Sequence, residues 1–202
     1  MWSAAWAAKS KRATEGTAMT TLTGRPHTAL VVTDVQRGVV ADAHDRDAVV
    51  ARIAGLAERA RAHGVPVVWV QHSDEMLAEG TPDWEYVPEL VRRPDEALIH
   101  KHHGDAFEGT DLEEVLAEAG VGRLAVTGAE TDACIRSTIH GAFARGYDVT
   151  LVEDAHTTGD RSPWGAPPPE QVISHTNLYW RYTTAPGREA SVVPAEQVVL
   201  AS

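Results

Sequence analysis

The sequence predicts a three-layer α/β protein in which a mostly parallel sheet is covered by helices on both faces. Two observations carry that expectation. Short apolar runs rich in β-branched residues recur along the chain, and segments with helical apolar spacing separate them. Such runs suit strands buried on both sides, because those strands lack the polar alternation of a half-exposed sheet.

Thr28 to Thr33 is the first such run, and it ends abruptly in the carboxylate of Asp34. Val49, Ile53, Leu56 and Ala60 then follow at helical spacing, with His63-Gly64 closing the helix. Val65 to Val70 is a second buried strand. Residues 73–95 hold Gly80, Pro82, Pro88 and Pro94 and read as a long loop. Ala97 to His100 is a short third strand. Thr110, with Glu113 three positions on, forms a capping-box pattern for a helix that Gly120 ends. Arg123 to Gly128 is a fourth strand, and residues 131–145 form a helix with Ile135, Ile139, Ala142 and Phe143 on one face. Asp148 to Val152 is a fifth strand. A Pro/Gly-rich loop, a helix from about Pro169 to Tyr182 and an edge strand at Ala190 to Val193 complete the chain.

The bulk properties fit one globular domain: 202 residues, 43% hydrophobic and 23% charged. A net charge of -11 argues against a nucleic-acid partner, which would need a basic face. No run reaches the roughly 20 apolar residues needed to cross a bilayer. The N-terminal charges follow the apolar part, the reverse of a secretory signal. Residues 1–24 read as a disordered tail, with Met19 a candidate start, and residues 25–202 as the domain. One cysteine permits no intrachain disulfide, which fits a reducing, cytoplasmic setting.

Ligands of open parallel sheets bind beyond the carboxyl ends of the strands. Asp34, Lys101 and Cys134 all fall at that edge, bringing a carboxylate, an ammonium and a thiol together. Singly, each has a plain reading: a strand-end cap, a solvated lysine, a buried structural cysteine. Together they form a proton-transfer and charge-stabilising set. With Thr131 as N-cap, Cys134 lies in the first helical turn, where unpaired N–H groups favour a thiolate. An unperturbed thiol is only about 3% ionised at pH 7, so activation is required.

These residues resemble the isochorismatase-like cysteine hydrolase superfamily, which includes nicotinamidases, N-carbamoylsarcosine amidohydrolases and ureidoacrylate amidohydrolases. Leu30 to Gln36 resembles the family's first-strand motif. Lys101 with Asp105 to Leu112 resembles its lysine segment, and Thr127 to Ile135 its nucleophile motif. Gly146 to Val149 with Glu153 to Ala155 resembles the strand after it. The resemblance spans roughly residues 28–200.

It implies a six-stranded sheet of Rossmann-like topology, an Asp34–Lys101–Cys134 triad and a cis peptide joining Ala129 to Glu130. The backbone N–H groups of Glu130 and Cys134 would form the oxyanion hole. It further implies a small-molecule substrate, no cofactor and a homo-oligomer, dimer or tetramer; no membrane partner is expected, since no apolar run is long enough to cross a bilayer. The implied reaction is hydrolysis of a small amide, ureido or lactam C–N bond through a thioester. Two alternatives stand beside it: an isochorismatase-type vinyl-ether hydrolase of secondary metabolism, and an idle binding or thiol-sensing protein. No Gly-x-Gly-x-x-Gly follows the first strand, which argues against a dinucleotide-binding dehydrogenase.

Nicotinamidases carry an Asp-x-His metal motif after the second strand, whereas this chain reads Gln71-His72-Ser73-Asp74. No metal is therefore expected, although His72 and Asp74 could join a site if the loop supplied a further ligand. Nicotinamide is correspondingly disfavoured as a substrate. His102 and His103 read as exposed or supporting residues. Gln36, Trp84, Phe107 and Trp164 are the candidate pocket residues, with Tyr179 and Trp180 as further aromatics.

Overall fold

The computed structural model describes residues 20–200. The expected tail over 1–19, with Met19, lies outside the described residues. Residues 20–24, expected in that tail, are instead docked. The Thr20 and Thr21 hydroxyls donate to the Gly146 carbonyl at 2.7 and 3.0 Å.

Among the described residues seven strands form one sheet, with five main helices packed on it. The elements run β1 (His27–Thr33), α1 (Arg37–Val40), α2 (Arg46–Ala62), β2 (Val67–His72), β3 (Ala97–Lys101), α3 (Leu112–Glu118) and β4 (Val121–Ala129). A π-helical turn (Thr131–Ile135) then leads into α4 (Arg136–Arg145), β5 (Asp148–Thr157), α5 (Pro169–Tyr182), β6 (Thr184–Ala185) and β7 (Arg188–Val193). The strand order is β3-β2-β1-β4-β5-β7-β6. Every pairing is parallel except β6 with β7. The seventh strand beyond the expected six is the two-residue β6. Pro186-Gly187 turns it back onto β7, with Gly187 at φ +69°, a conformation glycine tolerates.

The β1 side chains alternate between two cores. Leu30 and Val32 face the layer of α2, where Val49, Ile53, Leu56 and Ala60 pack at their predicted spacing. Ala29 and Val31 face the opposite layer, with Leu112 and Leu116 of α3, Ile139 and Phe143 of α4, and Trp180 of α5. Burial on both sides explains why these strands show no polar alternation.

Three local expectations are corrected. Thr110 does lead into α3, accepting from the Leu112 N–H at 3.3 Å, but Glu113 does not close a capping box. Its carboxylate takes Arg25 at 2.8 Å and the Tyr147 hydroxyl at 2.7 Å instead. β5 runs on to Thr157 rather than stopping at Val152, so His156 belongs to the strand. The helix expected over 131–145 is divided, its first five residues being the π turn.

The long loop after β2 is held down by side chains of the strands. The Gln36 and Gln71 amides both donate to the Trp84 carbonyl, at 2.8 and 2.9 Å. Glu96, just before β3, accepts from Arg61 Nε at 2.6 Å and from Trp69 Nε1 at 2.8 Å. No helix among the described residues is long and apolar enough to cross a membrane.

Candidate active site

Three strand ends converge at the carboxyl edge of the sheet. Asp34 follows β1 with φ +52°, a left-handed conformation uncommon outside glycine but better tolerated by Asp than by most residues. Its N–H donates to the Val70 carbonyl at 2.9 Å, fixing the turn against β2. Lys101 ends β3. The Cys134 turn follows β4, and Gly128 sets the distance between β4 and β1. A Cβ there would lie 1.9 Å from the Thr33 carbonyl oxygen, so only glycine allows this approach next to Asp34.

The three predicted residues meet. Lys101 Nζ lies 2.8 Å from Asp34 Oδ2 and donates to Cys134 Sγ at 3.2 Å. It also donates to the His103 carbonyl at 2.9 Å and to His72 Nδ1 at 3.3 Å. Asp34 and Lys101 are fully buried, whereas Cys134 is half-buried. Burial acts to lower the Lys101 pKa, but Asp34 and Cys134 outweigh it and hold the ammonium above the ordinary lysine value. Burial also raises Asp34 above the usual carboxylate range, against the pull of Lys101.

The thiol behaves opposite to the sequence expectation. Burial first, and the Asp34 charge second, push Cys134 up to about 12, although Lys101 acts to lower it. The helix start and the ammonium therefore do not leave a standing thiolate. The resting cysteine is therefore a neutral thiol.

The Cys134 turn is held by contacts that motif spacing did not reveal. Thr131 is not its N-cap: Glu130 occupies that position, and its carbonyl accepts from the N–H groups of Ala133 and Ile135, each at 3.1 Å. The Ala129–Glu130 peptide is cis, as the resemblance implied. The Thr131 hydroxyl instead meets His156 Nδ1 at 2.8 Å, and His156 Nε2 meets Asn177 Oδ1 at 3.0 Å. Because Asn177 Oδ1 can only accept, Nε2 carries the proton and Thr131 donates to Nδ1. Burial pushes the His156 pKa down to about 4, keeping the ring neutral. Arg161 grips the Glu130 carboxylate with two bonds of 2.7 and 2.6 Å, and Thr158 donates to Asp132 at 2.8 Å.

The predicted pocket residues fare differently. Gln36 is fully buried, and its amide is spent on the His72 backbone and the Trp84 carbonyl, so it clamps β1 to β2 rather than facing a ligand. Trp84 stacks on His100 with ring centroids 5.8 Å apart. His100 precedes Lys101 on β3, so that ring lies on the sheet face opposite the ammonium. Phe107 is a core residue, 5.6 Å from the Tyr147 ring and under the Arg145 guanidinium. Trp180 is likewise core. Trp164 is 82% exposed, three residues beyond Arg161.

Among the described residues no group of three or more His, Cys, Asp or Glu side chains is arranged to hold a metal ion. His72 and Asp74, considered as ligands, bond each other at 3.1 Å through Nε2 and Oδ2.

Comparison with known proteins agrees with the fold. The sequence model of the isochorismatase domain matches residues 28–166. A streptothricin hydrolase of Streptomyces noursei is 38% identical over 150 residues, covering 71% of this chain and 60% of that protein. A secreted isochorismatase effector of Verticillium dahliae is 34% identical over 113 residues, covering 54% of this chain and 58% of that protein. The chain thus spans about three-fifths of the length of these two relatives. Among solved structures, an isochorismatase from Pseudomonas putida KT2440 superposes with a TM-score of 0.75 at 27% identity, covering 86% of this chain and 90% of that one. The domain match spans most of the chain and contains Asp34, Lys101 and Cys134, so the chain belongs to the isochorismatase family.

Proposed function

We propose that this protein hydrolyses a C–N bond of a small amide, ureido or lactam substrate, with Cys134 as the nucleophile. The observation that carries the reading is the buried ammonium of Lys101, set between the Asp34 carboxylate and the Cys134 sulfur at 2.8 and 3.2 Å. A carboxylate that burial makes more basic, next to a thiol that does not ionise alone, suits proton transfer coupled to attack.

In this mechanism Asp34 takes the thiol proton as Sγ bonds to the carbonyl carbon. Lys101 offsets the negative charge that moves between sulfur and carboxylate. The N–H groups of Glu130 and Cys134 hold the tetrahedral oxyanion, a donor pair whose members are worth about 3 kcal/mol each in comparable sites. The C–N bond breaks as Asp34 returns the proton to the leaving nitrogen, giving a thioester and a free amine or ammonia. Water, deprotonated by Asp34, then attacks the thioester. The acid leaves, and the proton returns to Sγ. The grip of Arg161 on Glu130 and of His156 on Thr131 keeps the oxyanion donors aimed. The relative named streptothricin hydrolase supports C–N cleavage as the bond type.

A second reading, ether hydrolysis of the isochorismatase type, is favoured by the name of the Verticillium relative. Ammonia or amine release across primary amides, ureido acids and lactams separates the two. Release from at least one class is expected. Turnover of a vinyl ether with silence on every C–N substrate would replace the first reading by the second.

A further inference from the structure

The Cys134 turn is held from two sides. Toward solvent, Arg161 grips the Glu130 carboxylate and Thr158 donates to the exposed Asp132. From inside the protein, a line of buried side chains runs from α5 through β5 to Thr131. Asn177, His156 and Thr131 are 8%, 1% and 0% exposed.

The direction of each hydrogen bond in this line is fixed from its inner end. The Glu153 carbonyl can only accept, so the Asn177 atom that meets it at 2.9 Å is Nδ2. Oδ1 therefore faces His156 Nε2 at 3.0 Å and takes its hydrogen. Nδ1 is left as the accepting nitrogen, and the Thr131 hydroxyl donates to it at 2.8 Å. Burial holds the ring neutral, so Nδ1 keeps its lone pair. Turning the Asn177 amide would set donor against donor at His156 and acceptor against acceptor at Glu153, leaving buried polar atoms unpaired.

The turn at the outer end needs such an anchor. Residues Thr131–Ile135 are π-helical, a wider turn than the α-helix and one seldom extended. Its Glu130 carbonyl accepts from the Ala133 and Ile135 N–H groups, which flank Cys134 in sequence. Thr131 is the first residue of the turn, so the point at which its hydroxyl is pinned sets where the turn begins. A displacement there is carried along the backbone to the Cys134 N–H.

We propose that Asn177, acting through His156 and Thr131, is a positioning residue that sets the direction of the Cys134 N–H and with it the aim of one oxyanion donor. Asn177 bonds Glu153 and His156 rather than the reacting atoms, and it reaches the turn from a helix at the far side of β5. The thiol itself answers to Asp34 and Lys101, which lie outside this line. The catalytic meaning of the anchor rests on the proposed function, but the position of the N–H can be read without a substrate.

The chain has one cysteine, so protein grown with ¹⁵N-cysteine shows one backbone amide signal, that of Cys134. This signal is compared between the wild type and Asn177→Leu, which keeps the His156 ring in place but removes its acceptor. The signal is expected to move, and kcat on an amide substrate to fall roughly tenfold or more with KM little changed, as for a small misplacement distant from the chemistry. Should Asn177→Leu fail to fold, Asn177→Ala cuts the same bonds without filling the space and decides in its place. His156→Gln retains an acceptor and a donor and is expected to hold kcat closer to the wild type than His156→Leu does. An amide signal that stays put in the folded Asn177 variant would overturn the proposal, even if its melting temperature drops. So would a signal that moves with kcat unchanged, or an equal loss of kcat in His156→Gln and His156→Leu. A signal that moves as expected in a protein whose wild type turns over no amide would count against the proposed function and leave the anchor standing.

Discussion

Cys134→Ala is expected to lower C–N turnover by a factor on the order of 10⁴ or more, the scale seen when a covalent nucleophile is removed. The substitution deletes only the sulfur, whose hydrogen bond comes from Lys101 at 3.2 Å. The ammonium keeps Asp34, the His103 carbonyl and His72 as partners, so the fold should be retained. Amine release by the purified variant, beside a thermal melt matching the wild type, measures both parts. Loss of turnover with an unchanged melt is the expected pair. Turnover preserved within about tenfold would leave the sulfur no covalent role.

Lys101→Met should be the most damaging single change to stability among the three central residues. It leaves the Asp34 carboxylate fully buried without its counter-charge, a situation that typically costs about 3–5 kcal/mol. Asp34 would respond by taking up a proton, which also removes the base, so activity should fall with stability. The neutral pair Lys101→Met with Asp34→Asn is expected to recover much of the stability and none of the activity, because no charge is then stranded. Urea denaturation of the two single variants and the double variant supplies the cycle. A Lys101→Met protein as stable as the wild type would mean that Asp34 is not charged in the folded state.

The sheet and the edge where Asp34, Lys101 and Cys134 meet were legible because they rest on local signals. The β1 run with its terminal Asp34, the α2 spacing from Val49 to Ala60, and the strand-to-turn placement of Cys134 each follow from a few adjacent residues. What escaped depends on tertiary partners. Glu113 has the spacing of a capping box, yet Arg25 and Tyr147 offer its carboxylate stronger bonds. Thr131 has the chemistry of an N-cap, yet His156, 25 residues on, takes its hydroxyl. Aromatic type alone could not separate Phe107 and Trp180, which are core, from the exposed Trp164. The high thiol pKa was also hidden, since helix position argues for a low one and only burial beside Asp34 reverses the sign.

Hydroxylamine partitioning tests the covalent role of Cys134 most directly. A thioester formed on the enzyme can be captured by hydroxylamine in competition with water. With an amide substrate, product should divide between acid and hydroxamate in a ratio that rises with hydroxylamine, and Cys134→Ala should form neither. Acid alone at every hydroxylamine concentration, with amine still released by Cys134→Ala, would mean that water attacks the substrate directly and that Cys134 is not the nucleophile.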